Sequence, residues 1–398
     1  MGAPRRLSGG AFVATMVLAC AAPAPDEGIG EVPEWTLQRG LAIGSPDDPV
    51  YGLWAVGGVL ADEDRVYVVL ARDGTIRIFT RDGEFVRDLG GRGSGPGELT
   101  LPTTLGWSEP GILSIGDSEL RRFTFYEVAT GEARTIPYHA YSPQAHGAAP
   151  FIPVVVLPDL RAAAAPRPSE AAPEHGILTT VPMVVLDTAG ALLDTLALLS
   201  VQISRNVTAG VVADGRVRLG HPVRQGDKWR FAPDRSSIVV VDVEGGTWAG
   251  EGPAEFGVTM VDSNGDTLFH RRIAYVPRPV PDGYYDDEIE KIGGYRDADE
   301  FIADQRAFTN AVREFYEQTR YFPPVTNVVV GSDGTAWIAG LDEDGEREWL
   351  VLDASGASIG RFRLPTGWHV GYGNRNEAWV VERDALDIPY VVRYEIVR

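Results

Sequence analysis

Asp333-Gly334-Thr335-Ala336-Trp337-Ile338 opens a stretch that continues through Glu348-Trp349-Leu350-Val351-Leu352 to Asp353-Ala354-Ser355-Gly356. It reads as turn, strand, strand, turn, because aliphatic and aromatic residues fill the runs and aspartate with glycine marks their ends. Glycine takes the positive φ of a tight hairpin without strain, so Asp-x-x-Gly between apolar runs predicts a hairpin. Related turns recur at Thr80-Arg81-Asp82-Gly83, Val128-Ala129-Thr130-Gly131, Asp187-Thr188-Ala189-Gly190 and Asp262-Ser263-Asn264-Gly265. The upstream turn-and-strand recurs at Asp64-Arg65-Val66-Tyr67-Val68-Val69, Gly111-Ile112-Leu113-Ser114-Ile115 and Asn376-Glu377-Ala378-Trp379-Val380-Val381. Four-stranded units of about 40 residues or more predict a β-propeller, since one such sheet cannot bury its faces alone and stacks on its neighbours.

Blades fall near residues 50–95, 100–140, 150–225, 229–275, 324–364 and 366–398. The last is short, with no Asp-x-x-Gly hairpin and no fourth strand, while Trp35-Thr36-Leu37 running toward Ile43 is a strand without a sheet. The N-terminal strand is therefore expected to complete the sixth blade and close the ring, which removes two open sheet edges. The expectation is an all-β, six-bladed β-propeller of four-stranded blades over residues 34–398. A two-domain sandwich fits less well, because sandwiches do not normally repeat one turn motif at matching positions.

Two segments stand outside the repeat. Residues 277–324, bounded by Pro277, Pro279, Pro281 and Pro323-Pro324, form an insertion between blades four and five. Within it Phe301, Phe308, Val312, Phe315 and Thr319 make one stripe of an amphipathic helix expected over 299–320. That stripe is read as docking on the propeller itself, over a channel mouth or blade edge. The alternative is a partner or ligand site, since insertions on a rigid scaffold are where specificity varies. Residues 160–176 are low-complexity and read as a mobile loop.

The N-terminus reads as an address. Arg5 and Arg6 precede an apolar run, Ala11 to Ala19, too short to cross a bilayer as a helix, so residues 1–19 are expected to be a signal peptide. Val17-Leu18-Ala19-Cys20 resembles a bacterial lipobox. Cys20 is the only cysteine, and lipidation accounts for an unpaired thiol in an exported protein. Residues 20–33 then form the lipidated cysteine and a flexible tether. The expected location is the cell envelope, as a monomeric periplasmic or surface-facing lipoprotein that meets the membrane only through its N-terminal lipid.

With 36 Lys+Arg against 56 Asp+Glu the net charge is −20, and 44% of residues are hydrophobic. That is a globular composition whose charge repels phosphate backbones, so nucleic acid is excluded as a partner. Local catalytic motifs fail on inspection. Glu98 and Leu99 follow Gly97 where a Walker loop needs Lys and Ser or Thr, Pro96 occupies the last glycine of a dinucleotide fingerprint, and Ser94 lacks the GxSxG frame. The histidines His139, His146, His175, His221, His270 and His369 show no HExxH spacing. The acidic runs Asp62-Glu63-Asp64, Asp286-Asp287-Glu288 and Asp342-Glu343-Asp344-Gly345-Glu346 do not match an EF-hand and read as solvated turn charges, with calcium as the one cofactor left open. Trp337 and Trp379 read as packing between blades rather than a carbohydrate platform. Asp117 and Arg122 read as a repeat-stabilising pair.

Residues 89–99, followed by Pro102, Ile112 to Ile115, Asp117 and Arg121-Arg122-Phe123, resemble the blade junction of NHL-repeat propellers, where a glycine-proline loop leads to a strand ending in aspartate and then an arginine. Asp333 to Trp337, Glu348 to Asp353, Leu364-Pro365 and Tyr390-Val391-Val392-Arg393-Tyr394 are similar to bacterial six-bladed β-propeller lipoproteins, mostly of unknown function. The resemblance implies a fold and hardly an activity. RNA-binding NHL members use basic faces, from which this chain departs. The functional expectation is a non-catalytic, membrane-tethered binding or scaffold protein engaging a protein, peptide or glycan. The alternative is a propeller enzyme, a calcium-dependent lactonase-like hydrolase or a lyase, with acids and histidines from several blades meeting in the central channel. No catalytic, metal or cofactor residue is assigned.

Overall fold

The computed structural model describes residues 32–140, 151–166, 178–202, 205–207, 217–219, 226–242, 254–293, 305–317 and 319–398. Cys20, the signal segment and nearly all of the tether lie outside them. Six four-stranded antiparallel sheets form the six blades of a propeller. Five are built from consecutive strands within residues 56–90, 102–137, 151–202, 228–274 and 327–365. The sixth joins His369–Gly373, Glu377–Arg383 and Pro389–Val397 to the N-terminal strand Thr36–Ile43. That strand pairs antiparallel with the last one, Thr36 opposite Val397 and Ile43 opposite Val391.

The five repeated turns each link the third strand of a blade to its fourth, and Gly83, Gly131, Gly190, Gly265 and Gly356 hold φ between +81° and +95°. In blade six this connection is the ring closure itself, which is why its hairpin motif is missing. Asp353 fixes its turn by accepting from the amides of Ser355 at 2.9 Å and Ala357 at 3.1 Å, and Asp187 and Asp262 do the same.

Hydrophobic layers fill the spaces between blades. Val239, Val258 and Met260 of blade four pack with Val328 and Ile338 of blade five, and Trp337 and Trp349 of blade five with Ala378 and Val380 of blade six. Trp337 and Trp379 are wholly buried there, as packing requires. Trp35 reaches from the closing strand into blade five, bonded through its amide to the Arg361 carbonyl at 2.7 Å, with its indole edge-on to Trp337 at 5.9 Å.

Among the described residues the insertion carries two helices where the sequence predicts one. α1 (Tyr284–Gly293) precedes α2 (Gln305–Tyr316), which ends at Tyr316 rather than near residue 320 as the stripe predicts, while residues 299–304 lie outside the described set. Val312, Tyr316 and Thr319 are buried, and the Tyr285 hydroxyl donates to the Thr319 carbonyl at 2.6 Å. The helices pack on each other, and α2 also touches the short strand Arg205–Val207. Phe301 and the side chains of Phe308 and Phe315 lie outside the described residues. The start of the low-complexity segment is also structured. Ala162–Pro166 is the second strand of blade three, because Ala163 and Ala164 are small enough to be fully buried between adjacent sheets. Residues 167–177 are outside the described set. Blade three itself ends at Gln202, and Arg205–Val207 pairs with Val217–Leu219 as a separate two-stranded antiparallel sheet.

Candidate functional site

First strands of neighbouring blades touch from blade four through blades five, six, one and two to blade three, so they line the axis, and because each opens the same four-stranded meander they run in one direction. The face where they begin is the upper face and the face where they end is the lower. The described helices of the insertion and the two-stranded sheet of Arg205–Val207 and Val217–Leu219 precede first strands in the chain, of blades five and four, on the side of the upper face.

The channel wall carries cations. Solvent reaches the Arg230 side chain on the first strand of blade four, yet burial lowers its pKa, the combination expected of a group lining an enclosed passage. Its Nε donates to the Val328 carbonyl of blade five over a long 3.5 Å. His369 begins the first strand of blade six, where burial first, then Arg383, Arg347 and Arg230, push its imidazole down to about 4. The turn after Phe231 crosses to blade two. There the Trp107 amide donates to the Pro233 carbonyl at 2.7 Å and Arg235 Nη2 to the Thr104 carbonyl at 3.2 Å. Gly106 makes room for that guanidinium, since a Cβ there would lie 2.4 Å from Arg235 Cζ.

The neutral His369 has a consequence for acid stability. In the unfolded chain the ring takes its proton near pH 6.5, so between about 6.5 and 4 the unfolded state binds more protons than the folded one. The contribution of the neutral ring is therefore complete above pH 6.5 and is lost as pH falls toward 4, by up to about 3 kcal/mol. A His369→Asn protein is expected to lose less melting temperature than wild type between pH 7 and 4.5. Parallel profiles would refute this.

On the lower face a groove of about 650 Å³ opens between blades one and two. Tyr67 and Trp107 meet in it edge to face at 5.3 Å, and Asp64, Glu109, Glu127 and Asp234 surround them with Arg65 as the only cation among the described residues. Asp62 also faces the groove but is committed locally, accepting from the amides of Asp64 and Arg65 and from the Tyr67 hydroxyl at 2.7 Å. The turn that carries Arg235 into the channel also places Asp234 on this rim.

The other residues singled out in the sequence have structural partners. Asp117 and Arg122 are cross-strand neighbours but do not bond each other. Asp117 accepts from the amides of Thr100, Leu101, Glu119 and Leu120, and Arg122 donates to the carbonyls of Ser94, Gly95 and Glu98. The expected pair is thus two separate clamps, three of whose bonds tie Arg122 to the glycine-rich loop. Asp342 is held by Arg347 through two bonds of 2.7 and 2.9 Å, and Asp286 pairs with Arg313. His139 and His270 are exposed, while His146, His175 and His221 lie outside the described residues. Among the described residues no three His, Cys, Asp or Glu side chains come together as a metal site would need. Nothing in the local sequence of Ala232-Pro233-Asp234-Arg235 distinguishes it from an ordinary turn, so the channel arginine escaped the sequence reading.

No family model and no curated protein matches the chain. Among solved structures it is similar to a member of the DUF4221 family from Bacteroides vulgatus, at 11% identity over 92% of this chain and 98% of that one, with a TM-score of 0.47. It is also similar to regucalcin, a calcium-binding protein from Agrobacterium tumefaciens, at 11% identity over 90% and 95% of the two chains, with a TM-score of 0.40. Likenesses this distant transfer no ligand and no activity.

Proposed function

We propose that the protein is a non-catalytic binding propeller, exported and tethered to the cell envelope through a lipid on Cys20, whose lower-face groove takes a basic segment of a protein or peptide partner. The groove carries this reading. Its volume suits the side chains of a short segment, the half-buried Trp107, backed edge-on by the buried Tyr67, offers an aromatic surface to a cation, and its acids complement positive charge. A neutral glycan would use the Trp107 surface and leave Asp64 and Glu109, the rim acids without a local hydrogen-bond partner among the described residues, without a role. The export part rests on Arg5, Arg6, the Ala11 to Ala19 run and Cys20, and an acyl mass on Cys20 of the mature protein is its check.

The binding part is tested by tryptophan fluorescence of the mature chain carrying Cys20→Ser, titrated with a lysine-arginine peptide, an acidic peptide and a neutral oligosaccharide. Saturable binding of the basic peptide alone is expected, weakened by salt and reduced about tenfold or more by Trp107→Ala. Binding of the oligosaccharide in place of the basic peptide would turn the reading toward a glycan. No response from any ligand would remove the groove as the site.

A further inference from the structure

Four charged side chains are fully buried among the described residues: Asp117, Glu377, Glu382 and Arg235. Three are compensated. Asp117 receives four backbone amides, Glu377 receives Arg81 and Arg393, and Glu382 receives Arg39 through two bonds and the Tyr394 hydroxyl. Arg235, 3% exposed, has the Thr104 carbonyl at 3.2 Å, and its Nε has no partner. The adjacent Asp234 is turned to Ser236, whose amide and hydroxyl it accepts at 3.1 and 2.7 Å. Arg230, close enough for its charge to act on Arg235, has only the long bond to Val328 and no carboxylate among the described residues. The one acid whose charge reaches Arg235 is Asp234, already bonded to Ser236, so the buried guanidinium and the neighbouring Arg230 are incompletely compensated unless an anion joins them.

We propose that the central channel binds the oxyanion group, carboxylate or phosphate, of a small ligand between Arg230 and Arg235. Guanidinium suits this ligand because its planar fork donates two parallel bonds to such a group. Arg235 is anchored by Thr104 and given space by Gly106, so it is a preset, dry half of the site, while the solvent-accessible Arg230 is the half a ligand meets first. This site is distinct from the lower-face groove and adds an anionic ligand to a protein whose net charge is −20.

The test uses the mature chain with Cys20→Ser, titrated with inorganic phosphate, with acetate and citrate, and with sodium chloride at matched ionic strength. At about one hundred times the Kd an oxyanion is expected to raise Tm by about 3 °C over the chloride control, with one site per chain by calorimetry. The two arms report whether phosphate or carboxylate is preferred. Arg230→Gln, at a solvent-accessible position, is expected to keep the fold and weaken binding about tenfold. Arg235→Gln is expected to abolish it, and where that protein does not fold Arg230→Gln carries the test. Equal melting in phosphate, carboxylates and chloride overturns the proposal, as does unchanged affinity in Arg230→Gln. Loss of the channel site with basic-peptide binding intact leaves the groove standing, and the reverse result leaves the channel standing.

Discussion

Trp35→Ala is expected to lower stability by about 3–5 kcal/mol, the range for emptying a buried tryptophan site, and to lower Tm by about 5 °C in a chain of this length. The indole is 3% exposed and sits where the closing strand meets blade five, against Trp337 and over Gly360. The fit is close. A Cβ on Gly360 would lie 2.1 Å from the Trp35 ring, so only glycine leaves the ring its place. Removing the indole leaves the backbone bonds of Trp35 and Arg361 intact but empties the layer that anchors the strand closing the ring. Thermal unfolding by calorimetry measures the loss, and Trp35→Phe is expected to retain most of the stability. A drop below 1 °C would mean that strand pairing alone closes the ring.

Glu377→Ala is expected to cost about 2–3 kcal/mol, somewhat less than breaking a fully buried ion pair because both arginines are partly solvated. The carboxylate, at the start of the second strand of blade six, takes Arg81 from blade one and Arg393 at 2.8 Å from its own blade. Arg81 also donates to the Asp62 carbonyl at 3.1 Å and lies over the Trp379 ring at 5.3 Å, so the group ties the two blades together. Loss of the acid leaves two cations facing each other with only the exposed Glu395, 4.0 Å from Arg393, as an anion. Arg81→Ala leaves Glu377 paired with Arg393 and is expected to cost less. Chemical denaturation of both proteins checks the order, and equal losses would show that Arg393 contributes nothing to the pairing.

Much of the fold was legible because a propeller writes its architecture locally. A hairpin that needs positive φ must carry glycine near its tip, so five glycines announced five connections between third and fourth strands. The missing sixth turn announced that the last blade borrows a strand from the other end of the chain. Ala162–Pro166 escaped this logic, since a run of alanines carries no strand periodicity, and its strand exists only because neighbouring sheets press on it. The insertion was half legible. The apolar stripe marked α2, whereas α1 carries acids through its first turn and shows no comparable stripe to find.

Repeat, blade count and ring closure were thus determined by the sequence itself, because each depends on residues adjacent in the chain and on the backbone angles they tolerate. The candidate sites were decided by the tertiary structure. Arg235 became a buried cation when a turn of blade four crossed to the innermost strand of blade two and met Gly106, more than a hundred residues away in the chain. The groove likewise draws Tyr67, Trp107 and Asp234 from three blades. Charge compensation and cavity shape depend on which surfaces the closed ring brings face to face, and no local stretch of the chain encodes that.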